Sequence, residues 1–235
     1  MRIKIAFTAF IMLFLGNLCF GLIADSTYLN GIKAELQKKW PENRTINLVF
    51  HGHSVPSGYF NTPYVRTFDS YPYLVLKKIK KLYPYAVVNV IVTAKGGENS
   101  LQGARRFRED VLAHKPDLLF LDYALNDRTL GLEIAKESME AMINAALDEN
   151  IPIILMTPSP DMRVDILADG NELEQFSDML TRLASTYRIG LADSYGQFKT
   201  HLTTGFDLQS FMAQVNHPNE KGHQLIADEI MKYFK

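Results

Sequence analysis

Apolar positions along the chain fall into short runs separated by stretches of helical spacing. Thr45-Ile46-Asn47-Leu48-Val49-Phe50 is rich in β-forming residues and follows the polar Pro41-Glu42-Asn43-Arg44, which predicts a buried strand. The run stops at His51-Gly52-His53-Ser54, where a glycine lets the chain turn and leaves a serine at the strand's carboxyl edge. Four more runs predict strands: Ala86 to Thr93, Leu118 to Leu121, Ile151 to Met156 and Ile189 to Ala192. Between them the period changes. Leu29, Ile32 and Leu36 predict a helix over 26–40. Val75, Leu76, Ile79, Leu82 and Tyr83 predict a second, with Lys77, Lys78, Lys80 and Lys81 on its solvated faces. Ala104, Phe107, Val111 and Leu112 mark a third; 130–147 and 173–187 follow. A last helix begins after Pro218 and turns Leu225, Ile226, Ile230 and Met231 inward. Strands alternating with amphipathic helices imply parallel β-α-β units. The expected fold is therefore α/β, a three-layer α/β/α sandwich on a five-stranded parallel sheet. No repeat or linker divides it.

Composition alters this picture only at the N-terminus. A chain of 235 residues can bury a sizeable core. With 47% hydrophobic and 22% charged residues, disorder is excluded, and a net charge of -1 gives no electrostatic reason for a nucleic-acid partner. Met1-Arg2-Ile3-Lys4 is a basic start, Ile5 to Phe20 is nearly all apolar, and the small Gly21 and Ala24 precede Asp25-Ser26. That is the layout of a secretory signal peptide over 1–24, with the folded domain over 25–235 and a secreted or periplasmic destination. An uncleaved anchor is the alternative, because the run approaches the lower limit for spanning a bilayer. After cleavage no stable membrane span is expected. The only cysteine, Cys19, lies inside this segment behind the bulky Leu18, where a lipid-attachment site would want a small residue. The mature chain then has no thiol for a disulfide, a nucleophile or a metal.

Polar clusters follow three of the strands: His51 to Ser54, Gly96 to Ser100, and Asn126-Asp127. Strand ends of one parallel sheet lie side by side, so these groups should converge on one crevice. A serine, a glycine turn and a side-chain amide supply a nucleophile and an oxyanion hole. His217, at the front of the last helix, can serve as the general base. The bland alternatives are a turn serine and a structural histidine. His51 and His53, at strand spacing, could form a metal pair with Asp127 or His223. No further His-x-His or His-Glu-x-x-His pattern supports that, and neither metal nor cofactor is expected. Tyr59 to Asp69 is irregular and predicts a loop over the sheet edge, a candidate wall of the site.

With these motifs the chain resembles the SGNH (GDSL-like) hydrolase superfamily, esterases and lipases on a flavodoxin-like α/β fold. Gly52-His53-Ser54 stands where the family has Gly-Asp-Ser. Gly97-Glu98-Asn99-Ser100 matches the second block, Ala124-Leu125-Asn126-Asp127 the third, and His217-Pro218-Asn219-Glu220-Lys221-Gly222-His223 the last. The resemblance implies Ser54 as nucleophile, His217 as base, and the N–H groups of Ser54 and Gly97 with the Asn126 amide as oxyanion donors. His53, Glu98 and Asp127 border these groups and are the expected substrate-side residues. Three positions depart from the pattern: His53, Ala124 and, above all, Gln214, where the family's Asp-x-x-His has a carboxylate. The expectation is a Ser54–His217 dyad in which the Gln214 carbonyl, or a backbone carbonyl, accepts the ring N–H; Asp207 is a substitute carboxylate. The implied activity is ester hydrolysis without a cofactor. Export and the aromatic, polar segment Tyr59, Phe60, Tyr64, Phe68, Tyr71 and Tyr73 favour O-acetyl esters of carbohydrate, small or polymeric. A lipid or short-chain acyl esterase and an inactive glycan-binding domain are the alternatives.

Overall fold

The computed structural model describes residues 23–235. The expected leader, with Cys19, lies outside the described residues except for its last two positions. In chain order come α1 (Asn30–Gln37), β1 (Thr45–Gly52), α2 (Tyr71–Leu82), β2 (Val87–Val92), and the short α3 (Ser100–Arg105) and α4 (Phe107–Asp110). They are followed by β3 (Leu118–Asp122), α5 (Ala124–Asp127), α6 (Leu132–Leu147), β4 (Ile153–Met156), α7 (Glu172–Tyr187) and β5 (Gly190–Ala192). Helix α8 (Ser194–Thr203), the hairpin β6 (Met212–Gln214) and β7 (His217–Pro218), and α9 (Glu220–Met231) complete the chain.

The first five strands form one parallel sheet in the order β2-β1-β3-β4-β5. Alternation along each strand sends side chains to opposite faces. Leu48, Phe50, Leu118, Phe120, Ile154 and Met156 share a core with α1, α2, α8 and α9. Val49, Leu119, Leu121, Ile153 and Leu155 share the other with α4, α6 and α7. Phe50 and Phe120, neighbours in register, stack with ring centroids 4.1 Å apart. This is the three-layer sandwich expected from the pattern. Among the described residues no helix is long and apolar enough to cross a membrane.

Local departures have local causes. Helix α1 is shorter than the helix expected over 26–40. The Asp25 carboxylate accepts the Thr27 N–H at 2.8 Å and its hydroxyl at 2.6 Å, which holds the entry as a turn. At the other end Lys38 is extended, and Pro41 disfavours helix in the residue before it. The helix expected through Ala104 to Leu112 is broken at Arg106, which has φ -108 and ψ 7. Helix α8 and the β6–β7 hairpin were not expected, and Asn126-Asp127 stand in the helical turn α5, beyond the end of β3.

Candidate active site

Strand β1 delivers Ser54 into a loop tied to both neighbouring strands. A Cβ on Gly52 would come within 2.3 Å of the Asp122 carbonyl oxygen, so only glycine permits that approach. The His53 N–H donates to Asp122 O at 3.2 Å, and the Lys95 N–H donates to Gly52 O at 3.0 Å. The Ser57 hydroxyl donates to Ala94 O at 2.9 Å. The serine is therefore clamped between the ends of β2 and β3.

His217 arrives from the far end of the chain. Asn219 accepts the Lys221 and Gly222 N–H groups at 2.9 and 3.2 Å, capping α9. Its own amide donates to Ser210 O at 3.0 Å, and a Cβ on Gly222 would lie 2.5 Å from Phe211 O. These contacts lock the hairpin to the helix. His217 Nε2 lies 2.8 Å from Ser54 Oγ, across a separation of 163 residues.

Gln214 Nε2 lies 2.6 Å from His217 Nδ1. Its carbonyl oxygen accepts the Thr62 N–H at 3.0 Å and the Thr62 hydroxyl at 3.3 Å. An amide nitrogen can only donate. Nδ1 is thus the acceptor, and the ring proton sits on Nε2, facing Ser54 Oγ. This corrects the expectation that the glutamine carbonyl would receive the ring proton: Thr62 occupies that oxygen. Asp207, the substitute carboxylate, instead accepts the Gln209 N–H at 3.0 Å in a turn of its own. Among the described residues no carboxylate is paired with His217. Burial lowers the His217 pKa, His53 lowers it further, and the Phe60 backbone carbonyl, acting on the ring, raises it.

On the other bank, Gly97 has φ +79, a conformation open to glycine, and is exposed. Asn126 Nδ2 donates to Glu98 O at 2.9 Å with one of its two N–H groups. An open depression of about 270 Å³ lies here, lined by Lys95, Gly96, Gly97, Glu98 and Gln102. The Glu98 carboxylate turns away from it. Both oxygens are held by Arg106, and the Tyr123 hydroxyl donates to one of them at 3.0 Å. Gly103 makes room for this network, since a Cβ there would fall 2.2 Å from the Tyr123 oxygen.

Beneath the nucleophile lies a buried polar cluster. His53 Nδ1 accepts the Val55 N–H at 3.2 Å, and Nε2 sits 3.3 Å from Asp122 Oδ1 without hydrogen-bond alignment. The Tyr71 hydroxyl donates to Asp122 Oδ2 at 2.9 Å. Asp127 Oδ1 accepts the Ser100 N–H at 2.7 Å, while Oδ2 has no partner. Burial pushes the Asp127 pKa up to about 6. His223, also buried, accepts the Tyr71 N–H at 3.2 Å, stacks on Phe60, and is held neutral by burial, with its pKa near 3.

Ser54, His217 and Gln214 form one chain of polar contacts, Asn126 is tied to Glu98 next to Gly97, and the Tyr59 ring lies against both His217 and the position beside Gly96. His53 and Asp127 are fully buried, and the Glu98 carboxylate is engaged by Arg106 and Tyr123. His51 bonds Thr93 and Tyr123, apart from His53, and among the described residues no group of three or more His, Cys, Asp or Glu is placed to hold a metal. Thr62, Arg106 and Asp122 are supporting residues that sequence reasoning missed. None has a motif, and each matters through a partner remote in sequence.

A model of the GDSL-like Lipase/Acylhydrolase family matches residues 50–225. An acetylxylan esterase from Geobacillus stearothermophilus is 25% identical over 177 residues, 67% of this chain and 77% of that protein. The solved structure of Axe2, an acetylxylan esterase from the same organism, superposes with a TM-score of 0.70 at 18% identity, covering 80% of this chain and 94% of that one. A two-domain esterase active on acetylated mannans gives a TM-score of 0.72 at 21% identity, and 91% of this chain spans 53% of it. At these identities the two structures speak for the fold.

Proposed function

The chain belongs to the GDSL-like lipase/acylhydrolase family, and on that premise we propose that it is an exported serine ester hydrolase acting on O-acetylated carbohydrate. Ser54 Oγ attacks the ester carbonyl and His217 Nε2 takes its proton; for this the ring proton moves from Nε2 to Nδ1 and the Gln214 amide turns over to present its oxygen to it. The N–H groups of Ser54 and Gly97 and the second N–H of Asn126 receive the developing oxyanion. Collapse expels the sugar hydroxyl, which leaves with the proton from Nε2, and water hydrolyses the acetyl-enzyme by the same steps.

The observation that carries this reading is the 2.8 Å contact between Ser54 Oγ and His217 Nε2, with the Tyr59 ring lying against both His217 and the Gly96 turn. The substrate class draws support from relatives named for acetylated xylan and acetylated mannan. Export draws support from the basic, then apolar, then small-residue N-terminus. A glycan-binding domain without turnover is the second reading, favoured by the amide that faces His217 in place of a carboxylate. Release of acetate from acetylated xylan and mannan, and of nitrophenol from p-nitrophenyl acetate, by wild type but not Ser54→Ala supports the esterase. Binding of the polysaccharides with no release from any ester supports the alternative.

A further inference from the structure

Six aromatic residues follow Ser54 within 20 positions, and the fold sorts them. Phe60 and Tyr71 are core, at 2% and 0% exposure. Phe68 packs edge-on against Tyr73, with centroids 5.5 Å apart. Tyr64 is exposed and touches no catalytic group through a ring contact. Tyr59 alone stands between the two banks of the crevice. A Cβ on Gly96, the neighbour of the oxyanion glycine, would lie 3.1 Å from the Tyr59 ring and 3.2 Å from its hydroxyl. The same ring lies 6.1 Å from the His217 imidazole, centroid to centroid, at 32°. Yet it stays 40% exposed.

The ring's backbone is rigidly held. The Tyr59 N–H donates to Ser54 O at 3.1 Å, so platform and nucleophile share one turn. Tyr59 bridges to Val65, the Arg66 N–H donates to Gly58 O at 2.7 Å, and buried Phe60 stacks on His223 at 4.9 Å. An aromatic face that is already anchored loses little freedom when something packs on it. The ring, in a residue that is 40% exposed, suits a ligand that is flat and apolar on one side and hydroxylated around the rim. A pyranose ring has that form.

We propose that Tyr59 is the specificity-determining platform on which the sugar ring carrying the acetyl group stacks. The proposal rests on the carbohydrate-ester reading and deepens it. Stacking adds binding energy for a sugar ester that a small alkyl ester cannot collect, so the readout is a ratio: kcat/KM for an O-acetylated xylo-oligosaccharide over kcat/KM for ethyl acetate. In Tyr59→Leu, which keeps apolar bulk without a flat face, this ratio falls about tenfold, mostly through KM on the sugar. In Tyr59→Trp it is kept or raised. Inhibition of ethyl acetate hydrolysis by the deacetylated oligosaccharide weakens in Tyr59→Leu in parallel. An unchanged ratio in Tyr59→Leu overturns the platform, as does equal loss on both substrates, which would make the ring a support for His217 or the Gly96 turn. A wild-type protein that cleaves ethyl acetate but no acetylated oligosaccharide brings down the carbohydrate reading itself.

Discussion

The two banks of the crevice are built from different materials. The oxyanion bank is buttressed by charge: Arg106 holds Glu98 and donates to Asp110 at 3.0 Å, Lys95 pairs with Asp110 at 3.1 Å, and Tyr123 links Glu98 to His51. Burial holds His51 neutral, its pKa lowered to about 4, so it serves as a fixed hydrogen-bonding partner. The base bank has no such support. His217 faces a neutral amide and a backbone carbonyl, and its pKa is lowered by burial. Half-buried charge networks in a low dielectric fix positions; a lone imidazole must create its cation unaided. Under the proposed mechanism, the comparison predicts that turnover leans on preorganised oxyanion donors more than on the base.

The largest effect expected removes what both banks serve. Ser54→Ala should lower ester turnover by at least about 10³-fold in kcat/KM. On the oxyanion side, Asn126→Ala should cost about 10²–10³ in kcat, with KM little changed. On the base side the expected sign is reversed. Gln214→Glu keeps an acceptor for Thr62 and gives Nδ1–H a carboxylate, so kcat should rise by about tenfold. Wild-type kcat/KM should rise with pH along a limb whose midpoint lies below the ordinary histidine value of 6.5, because the His217 pKa is lowered. Gln214→Glu should move that midpoint upward; a pH–rate profile without such a shift breaks the comparison.

The smallest effect concerns the floor of the site. The Asp127 pKa is raised in the fold from 3.8 to about 6. Its protonated form therefore contributes stability that is fully present below 3.8 and lost as pH rises through about 6. Asp127→Asn should gain about 3 kcal/mol over wild type at pH 8 and nothing at pH 3.5, read from urea unfolding at both pH values. Equal differences at the two pH values would contradict the buried, proton-holding carboxyl.

What could be read in the sequence was whatever a local pattern encodes. Leu48, Phe50, Leu118 and Phe120 announce their strands because a strand buried on both faces needs an unbroken apolar run. Ser54, Gly97 and Asn126 stand out because each follows a strand of one parallel sheet, and His217 because it stands at the front of the last helix. Gln214 is legible by its spacing, but not which end of its amide faces the ring, since that is decided by Thr62, 152 residues away. Glu98 reads as a substrate-side group until Arg106 and Tyr123 draw it inward. Tyr59 and Tyr71 are chemically alike in sequence; only packing makes one a wall and the other a core residue bonded to Asp122.

The most direct test is intact-protein mass spectrometry after incubation with a sulfonyl fluoride, followed by peptide mapping. The account predicts one stoichiometric adduct, located on Ser54, formed by wild type, much slower in His217→Ala and absent from Ser54→Ala. Turnover of p-nitrophenyl acetate that persists in Ser54→Ala, with no adduct on the wild-type serine, would contradict it.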